Sequence, residues 1–494
     1  MKYKILGLIM CVCILIVSLC APLAFADNTG RVHQHLEAEE KTECSHGDES
    51  FCTHLPLLVI DTGNREIPGD VIYDENEVVT GYTTAADGEK TIPAKIRVVD
   101  SETANNHITD EPVYTSDMRI RIRGNTSRTF YKKNYAIRLT TEDGENNPLP
   151  LLGMDAHHEW ALHGPYLDKT LMRNYMWYNI AGEIMDYAPN VRFCEMVLDG
   201  EYMGVYVLTE TITKGDDGAR LHLEVDAKNQ TFSGYLLRLD RPEKVEDNPL
   251  AHAQTFTTYA MRTKNALEII YPGTSNLTPE IANGIRQDFS DFEKALYSYD
   301  FDNETYGYTK LIDVDSFVDY FILNEVTCNY DAGWLSTYIY KDVNGLFKMC
   351  IWDFNSACDN YQESMITPNH FEMQSDLWYF MLMKDEDFTD RIIERYRELR
   401  KKELSEEYLF QYIDDVTDYL GPAIERNFEK WGYSFADDYD LLKPSSRNPH
   451  SHAEAVEDMK KFLTVRLAWM DENIEILRQY SAESKIKKFN ENAN

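Results

Sequence analysis

The sequence predicts an α+β fold, with a β-rich first half, a helical second half and a cleft between two lobes. Three observations predict it. Strict period-two alternation sets Met118, Ile120 and Ile122 against Arg119, Arg121 and Arg123. Hairpin signals such as Asp199-Gly200 join short apolar runs in the first half. Beyond Pro279, apolar residues recur at helical spacing.

In chain order, residues 1–26 read as a signal peptide. Lys2 and Lys4 open it, Ile5 to Leu19 is an apolar run, and Ala24-Phe25-Ala26 is a small-x-small cleavage site. Leu19 is too bulky to precede a lipidated Cys20, so simple secretion is expected, an uncleaved membrane anchor being the minority reading. Losing Lys2 and Lys4 and no acid takes the formal net charge from −35 to −37. That excess argues against nucleic acid or anionic lipid as partners and suits a basic partner. No second apolar run is long enough to span a bilayer.

Residues 27–54 are polar and His-rich and read as a flexible leader. Cys44-Ser45-His46 and Cys52-Thr53-His54 repeat a Cys-x-His unit, compatible with a zinc site or, more simply, a Cys44–Cys52 disulfide. Cys194, Cys328, Cys350 and Cys358 complete the six cysteines beyond the leader, and their pairing is not legible. Residues 55–115, with strands predicted at Leu55 to Asp61 and Ala94 to Val99, read as a small β-rich unit. A larger domain follows over 116–488, with a tail at 489–494.

Within that domain, strands are predicted at Met118 to Arg123, Lys133 to Leu139, Cys194 to Leu198, Tyr202 to Leu208 and Gly234 to Asp240. Asp168 is the expected N-cap of a helix running to about Met185. Helices are expected over Pro279 to Ser298, Val314 to Glu325, Asp385 to Arg400, Glu406 to Tyr419 and Ala453 to Tyr480. His157-His158-Glu159 reads as a surface turn rather than a metal cluster.

The stretch Asn329 to Asn355 carries the chemistry. Ser336 to Lys341 reads as a strand, Asp342-Val343-Asn344-Gly345 as a tight turn, and Leu346 to Trp352 as the returning strand. Asp331 and Asp353 then flank the open end of a hairpin whose strands lie about 4.8 Å apart. Two carboxylates with Asn355 at one mouth suit Mg²⁺-dependent phosphoryl transfer, one orienting a hydroxyl and the other holding the metal. The plain alternative is a solvated acidic hairpin end, with Asn355 a turn-former. Lys133 shares the face of Tyr135, Ile137 and Leu139, and an interior lysine must find an anion, so it is the expected phosphate contact ahead of Lys132. The turn containing Arg123, Gly124, Asn125, Ser127 and Arg128 can cradle phosphate. Arg173 could reach phosphate or form a structural salt bridge, and Glu210 could pair with the site lysine.

Several ordered motifs resemble the CotH kinase-like family, the spore coat protein H group of secreted atypical protein kinases. They are Arg123-Gly124-Asn125-Thr126-Ser127-Arg128, Lys132-Lys133-Asn134-Tyr135, Leu152-Gly153-Met154, Trp160-Ala161-Leu162 and Asp168 through Asn174. Gly200 through Tyr206 with Glu210, Asn329-Tyr330-Asp331 and Trp352-Asp353-Phe354-Asn355 follow. The resemblance runs from about Leu55 to Lys488. It implies a divergent two-lobed protein-kinase-like fold, ATP with Mg²⁺ or Mn²⁺, and transfer to Ser or Thr of secreted or spore-coat proteins. It makes Asp331 the catalytic carboxylate, Asp353 a metal ligand, and a lysine of the Lys132-Lys133 pair a nucleotide contact. Two positions depart from the pattern: Asn355, where many relatives carry Asp, and Ser336, five after Asp331. These departures suit a rival reading, a non-catalytic coat-assembly or surface-binding protein that keeps the fold. A polysaccharide-binding role, suggested by the many aromatics, is weakened because most of them fall in core patterns.

Overall fold

The computed structural model describes residues 51–215, 220–224, 233–241, 249–253, 265–436 and 441–482. The signal peptide, most of the polar leader, Cys44 and the C-terminal tail lie outside them. The fold begins earlier than Leu55. Thr53 exchanges backbone hydrogen bonds with Asn106 at 3.0 and 2.7 Å, and His54 Nε2 lies 2.6 Å from Tyr419 O.

Among the described residues seven strands close a barrel: β1 (Leu57–Asp61), β4 (Ile92–Val99), β5 (Tyr114–Arg123), β6 (Asn134–Thr140), β7 (Glu159–His163), β9 (Glu201–Glu210) and β8 (Val191–Leu198). Neighbours are antiparallel except at the closure, where β8 runs parallel to β1 with Leu57 opposite Glu195. The alternation read in β5 is real: Met118, Ile120 and Ile122 are buried in the barrel with Ile137, Trp160 and Leu208, while the intervening arginines are half-buried outside. β1 and β4, from the stretch expected to stand apart, complete this barrel with strands from beyond residue 116. A closed barrel is not a classic protein-kinase lobe, so of the divergent kinase-like fold expected, the division into a β-rich and a helical half is what the structure carries. A separate ribbon, β2 (Val71–Tyr73) with β3 (Val79–Tyr82), lies outside the barrel.

The outer face of β8 is covered by α1 (Arg173–Ile184), which explains why β8 is buried along most of its length. Tyr175 stacks on Phe193 with centroids 3.9 Å apart. α1 does not start at Asp168. Leu171 has φ +64°, which interrupts the helical path, so the helix begins at Arg173. Asp168 caps from a distance, its Oδ2 accepting the Arg173 N–H at 2.8 Å.

A second antiparallel sheet runs β11 (Ala266–Tyr271), β10 (Tyr235–Asp240), β12 (Thr337–Lys341), β13 (Lys348–Cys350). The expected hairpin is present, with Tyr338 opposite Cys350 and a Gly345 N–H to Asp342 O bond of 2.9 Å in its turn. Around it lie α2 (Pro279–Leu296), α3 (Val314–Thr327), α4 (Leu377–Leu382), α5 (Glu386–Leu399), α6 (Glu406–Leu420) and α8 (His452–Asn473), while α7 (Pro422–Trp431) packs on β9 of the barrel, Trp431 Nε1 donating to Met203 O at 2.9 Å. The β-rich first half and helical second half are as predicted. β7, β11, α4 and α7 were not foreseen as elements. β7 is buried at four of its five positions and shows no alternation to betray it.

Candidate functional site

Asp353 is held at φ +63°, a left-handed conformation costly for a residue with a Cβ. The surroundings over-determine it. The Asp353 N–H donates to Tyr178 Oη at 2.9 Å, and the Phe354 N–H donates to Asn174 Oδ1 at 2.7 Å. Phe354 is fully buried, its ring stacked 6.2 Å from Trp177. Arg173 completes the brace, donating from Nε to Ala357 O at 2.9 Å and from Nη2 to Cys358 O at 3.3 Å. Residues 173, 174, 177 and 178 lie three or four apart on one helix face, so the first turns of α1 form a template for the segment after β13.

The side chains of this segment are linked. Asn355 Nδ2 donates to Asp353 Oδ1 at 2.5 Å, and Asn174 Nδ2 donates to Asn355 Oδ1 at 3.1 Å. Asn355 therefore orients the Asp353 carboxylate. Arg123, at the end of β5, lies 5.4 Å over the Trp352 ring. Its charge reaches Tyr178, whose phenol is pushed well up by burial and by Asp353 and eased down by Arg123. Next to it, His163 is buried, and burial pushes its imidazole down to about 3, with Asp168 opposing and Arg123 and Lys132 assisting. His163 is neutral at physiological pH.

Asp331 sits in a turn after α3, whose last cap is Cys328 at φ +44°. Ala332 N–H bonds Asn329 O at 3.1 Å and Leu335 N–H bonds Asp331 O at 2.8 Å. Gly333 takes φ +88°, and a Cβ there would crowd Met373 at 3.0 Å and Asp376 at 3.2 Å. Tyr330 stacks on Tyr361 at 4.0 Å; burial and Tyr330, with a smaller contribution from Asp331, push the Tyr361 phenol up to about 12. Five residues of loop separate Asp331 from β12, so the turn rather than the strand register places it. The two acidic segments are tied at their bases by the Cys358 N–H to Thr327 O bond, 2.7 Å. Beneath them Glu325 and Arg466, both with no exposed side-chain surface, pair at 2.8 Å; Glu325 also accepts from the Glu372 and Met373 N–H groups.

The other predicted residues fall elsewhere or are engaged. Lys133 is partly buried, its Nζ 2.7 Å from Asp70 Oδ1 and 2.6 Å from Arg128 O. The anion it was expected to need belongs to the protein. Lys132 is the buried one, donating to Val205 O and Asn427 Oδ1, both at 2.7 Å, 5.0 Å from the Tyr206 ring centre. Burial lowers its ammonium well below the ordinary lysine range. Arg173 is bound to Asp168 at 2.5 Å as well as to the two carbonyls, so its role here is structural. Glu210 accepts from the Asn190 N–H, and its neighbouring cation is Arg220 at 4.0 Å, not a lysine. Register explains this: Glu210 lies opposite Trp160, which lies opposite Ile137, about 13 Å along β6 from Lys133 at roughly 3.3 Å per residue.

The turn after β5 is internally filled. A Cβ on Gly124, at φ +109°, would fall 2.0 Å from Ser127 Oγ. Arg128 donates from Nε to Gly124 O at 2.7 Å and from Nη1 to Gly69 O, and lies 4.1 Å over Tyr82. Asn125 Oδ1 accepts from Tyr82 Oη at 3.4 Å. Of this group, Arg123 is the one that reaches the Asp353 segment. His157 is buried rather than on a surface turn, and burial, with Arg220 and His158, pushes it down to about 3.

Among the described residues no group of three or more His, Cys, Asp or Glu gathers as a metal site. Mg²⁺ commonly takes one or two protein carboxylates, with substrate phosphates and waters filling its shell. Asp353 fits that role for one ion, with Asn355 fixing its orientation; the next carboxylate along the segment, Asp359, is taken by Arg447 at 2.8 Å. Asn174, Tyr178, His163 and Asp168 escaped prediction as site residues, because nothing local marks α1 as the template for a segment about 180 positions away.

The family model described as CotH kinase protein matches residues 120–470. The inner spore coat protein H of Bacillus subtilis (strain 168) is 25% identical over 249 residues, which cover 49% of this chain and 59% of that protein. The chain thus spans about three fifths of the length of this relative. Among the described residues no helix is long and apolar enough to cross a membrane.

Proposed function

Because the chain belongs to the CotH kinase protein family, we propose that it is a protein kinase of the spore coat or cell exterior. It transfers the γ-phosphoryl group of ATP to Ser or Thr hydroxyls of a coat or secreted protein. The observation that carries this reading is Asp353, kept in a strained conformation by Tyr178 and Asn174 with its carboxylate held by Asn355. Strain that several partners maintain is a mark of a functional site.

In this reading the barrel and the helical half act as the two lobes of a kinase-like cleft. Asp331 orients and accepts the proton of the acceptor hydroxyl. Asp353 holds Mg²⁺ or Mn²⁺, which when bound neutralises phosphate charge. Arg123 supplies the protein's cation at the phosphates, with Asn125 and Ser127 on the adjoining turn. Lys133, Lys132, Arg173 and Glu210 serve to hold the scaffold. The net charge favours a basic acceptor, and export by residues 1–26 would deliver the chain to its substrates.

Incubating the chain with ATP and Mg²⁺ or Mn²⁺, alongside Asp331→Ala, tests the reading by intact mass. Phosphate added to the wild type alone supports it. The amide of Asn355, where a second carboxylate would strengthen metal binding, favours a rival: a non-catalytic coat-assembly protein. No phosphate transfer to itself or to spore-coat extract, and no thermal shift with ATP and metal, would establish the rival instead.

A further inference from the structure

Cys328 and Cys358 stand directly behind the two acidic segments. Cys328 precedes Asp331 by three positions and Cys358 follows Asp353 by five. The Cys358 N–H donates to Thr327 O at 2.7 Å. That carbonyl is bonded to the Cys328 nitrogen, so standard bond lengths put the two Cα atoms within about 7 Å of each other, which is the reach of a disulfide. Both are buried in the same core, 0% and 3% exposed, whereas Cys194 lies in the barrel interior and Cys350 in a third cluster. Both backbones are held at left-handed φ, +44° and +53°, and the two thiols are near enough to feel each other's charge. In this structure both are thiols.

We propose that Cys328 and Cys358 form a disulfide when the chain folds in the presence of a small-molecule disulfide donor. One thiolate attacks the donor and releases one of its halves as a thiol. The second cysteine then displaces the other half. The pair loses two protons and two electrons, and the donor leaves as two thiols. Burial raises the Cys328 thiol and pushes the Cys358 thiol up to about 12, each sensing its surroundings rather than water. Thiolate is therefore scarce in the folded chain, and the bond is made during folding and protected afterwards. Once made, it staples the base of the Asp331 turn to the exit of the Asp353 segment and fixes the separation of the two carboxylates. The proposal does not depend on kinase activity.

The test is to refold the full chain from denaturant with oxidised and reduced glutathione, and separately with dithiothreitol. Remaining thiols are then blocked with maleimide in denaturant, and the chain is mapped without reduction. The expected result is a Cys328–Cys358 linked peptide, free of maleimide and lighter by about 2 Da than its two component peptides together for the two hydrogens lost, with a higher Tm than the reduced form. Under the same oxidation Cys358→Ser should leave Cys328 blocked by maleimide. Recovery of both wild-type cysteines as maleimide adducts from the oxidised chain, or their linkage to other cysteines, would overturn the proposal. If the variant fails to fold, the wild-type map alone decides.

Discussion

Tyr178 Oη accepts a hydrogen bond from the backbone N–H of Asp353 at 2.9 Å, across about 175 positions of sequence. The bond joins the second turn of α1 to the one residue of the Trp352-Asp353-Phe354-Asn355 motif with left-handed backbone. Tyr178→Phe should leave that buried N–H without its acceptor. The expected cost is about 1–3 kcal/mol, read as a lower urea midpoint, together with a weaker thermal response to ATP and Mg²⁺. An unchanged midpoint and response would mean that the phenol does not hold the segment.

Asn355→Asp replaces an amide that donates to Asp353 with a second carboxylate. Two like charges in contact should lower Tm in a chelator and should recover it as Mg²⁺ is added, with half-saturation at lower Mg²⁺ than for the wild type. Metal titration curves that superimpose would show that no metal is held there.

Lys132→Met removes a buried ammonium that has only a carbonyl and an amide for hydrogen-bond partners. Asn427 Oδ1 keeps the Val205 N–H as a partner at 3.1 Å. Stability should change by no more than about 1 kcal/mol, or rise, because a buried charge is replaced by an apolar chain of similar volume. The thermal shift with ATP should persist. Loss of nucleotide binding without loss of stability would return Lys132 to the site.

Asp376 faces Gly333 in the Asp331 turn, its Oδ2 3.2 Å from where a Cβ on Gly333 would lie. Burial, with the charges of Glu372 and Glu325, raises its carboxyl from 3.8 to about 7. The folded chain therefore keeps a proton that the unfolded chain releases between about pH 4 and 7. Its contribution to stability should fall as pH rises through that window, and the penalty is complete above pH 7. Asp376→Asn should flatten this part of the Tm–pH curve and gain most at pH 8. Parallel curves for wild type and variant would refute the assignment.

Much of the chemistry was legible because it is local. The Asp342-Val343-Asn344-Gly345 turn and its flanking β-rich runs located the hairpin and Asp353 just beyond its second strand, whereas the turn after α3 places Asp331. The lysines depart from expectation because their partners are distant in sequence. Lys133 meets Asp70 from 63 positions away, and Lys132 is buried by Asn427 from 295 positions away. The Lys–Glu pair failed for a similar reason, since strand register and not motif order sets which charges meet.

By itself the sequence determined the alternation of β5, the hairpin and its acidic ends, the helical character of the second half and the family. Each of these depends on torsional preference or on a repeat within a few residues, which neighbouring side chains encode directly. Only the tertiary structure decided that β8 closes on β1 to make a barrel, that α1 braces Asp353, and that Asp70, Asp168 and Arg220 partner the charges once assigned to a ligand. Those outcomes follow from which buried polar groups meet when distant segments pack, because each must be satisfied there or remain in water.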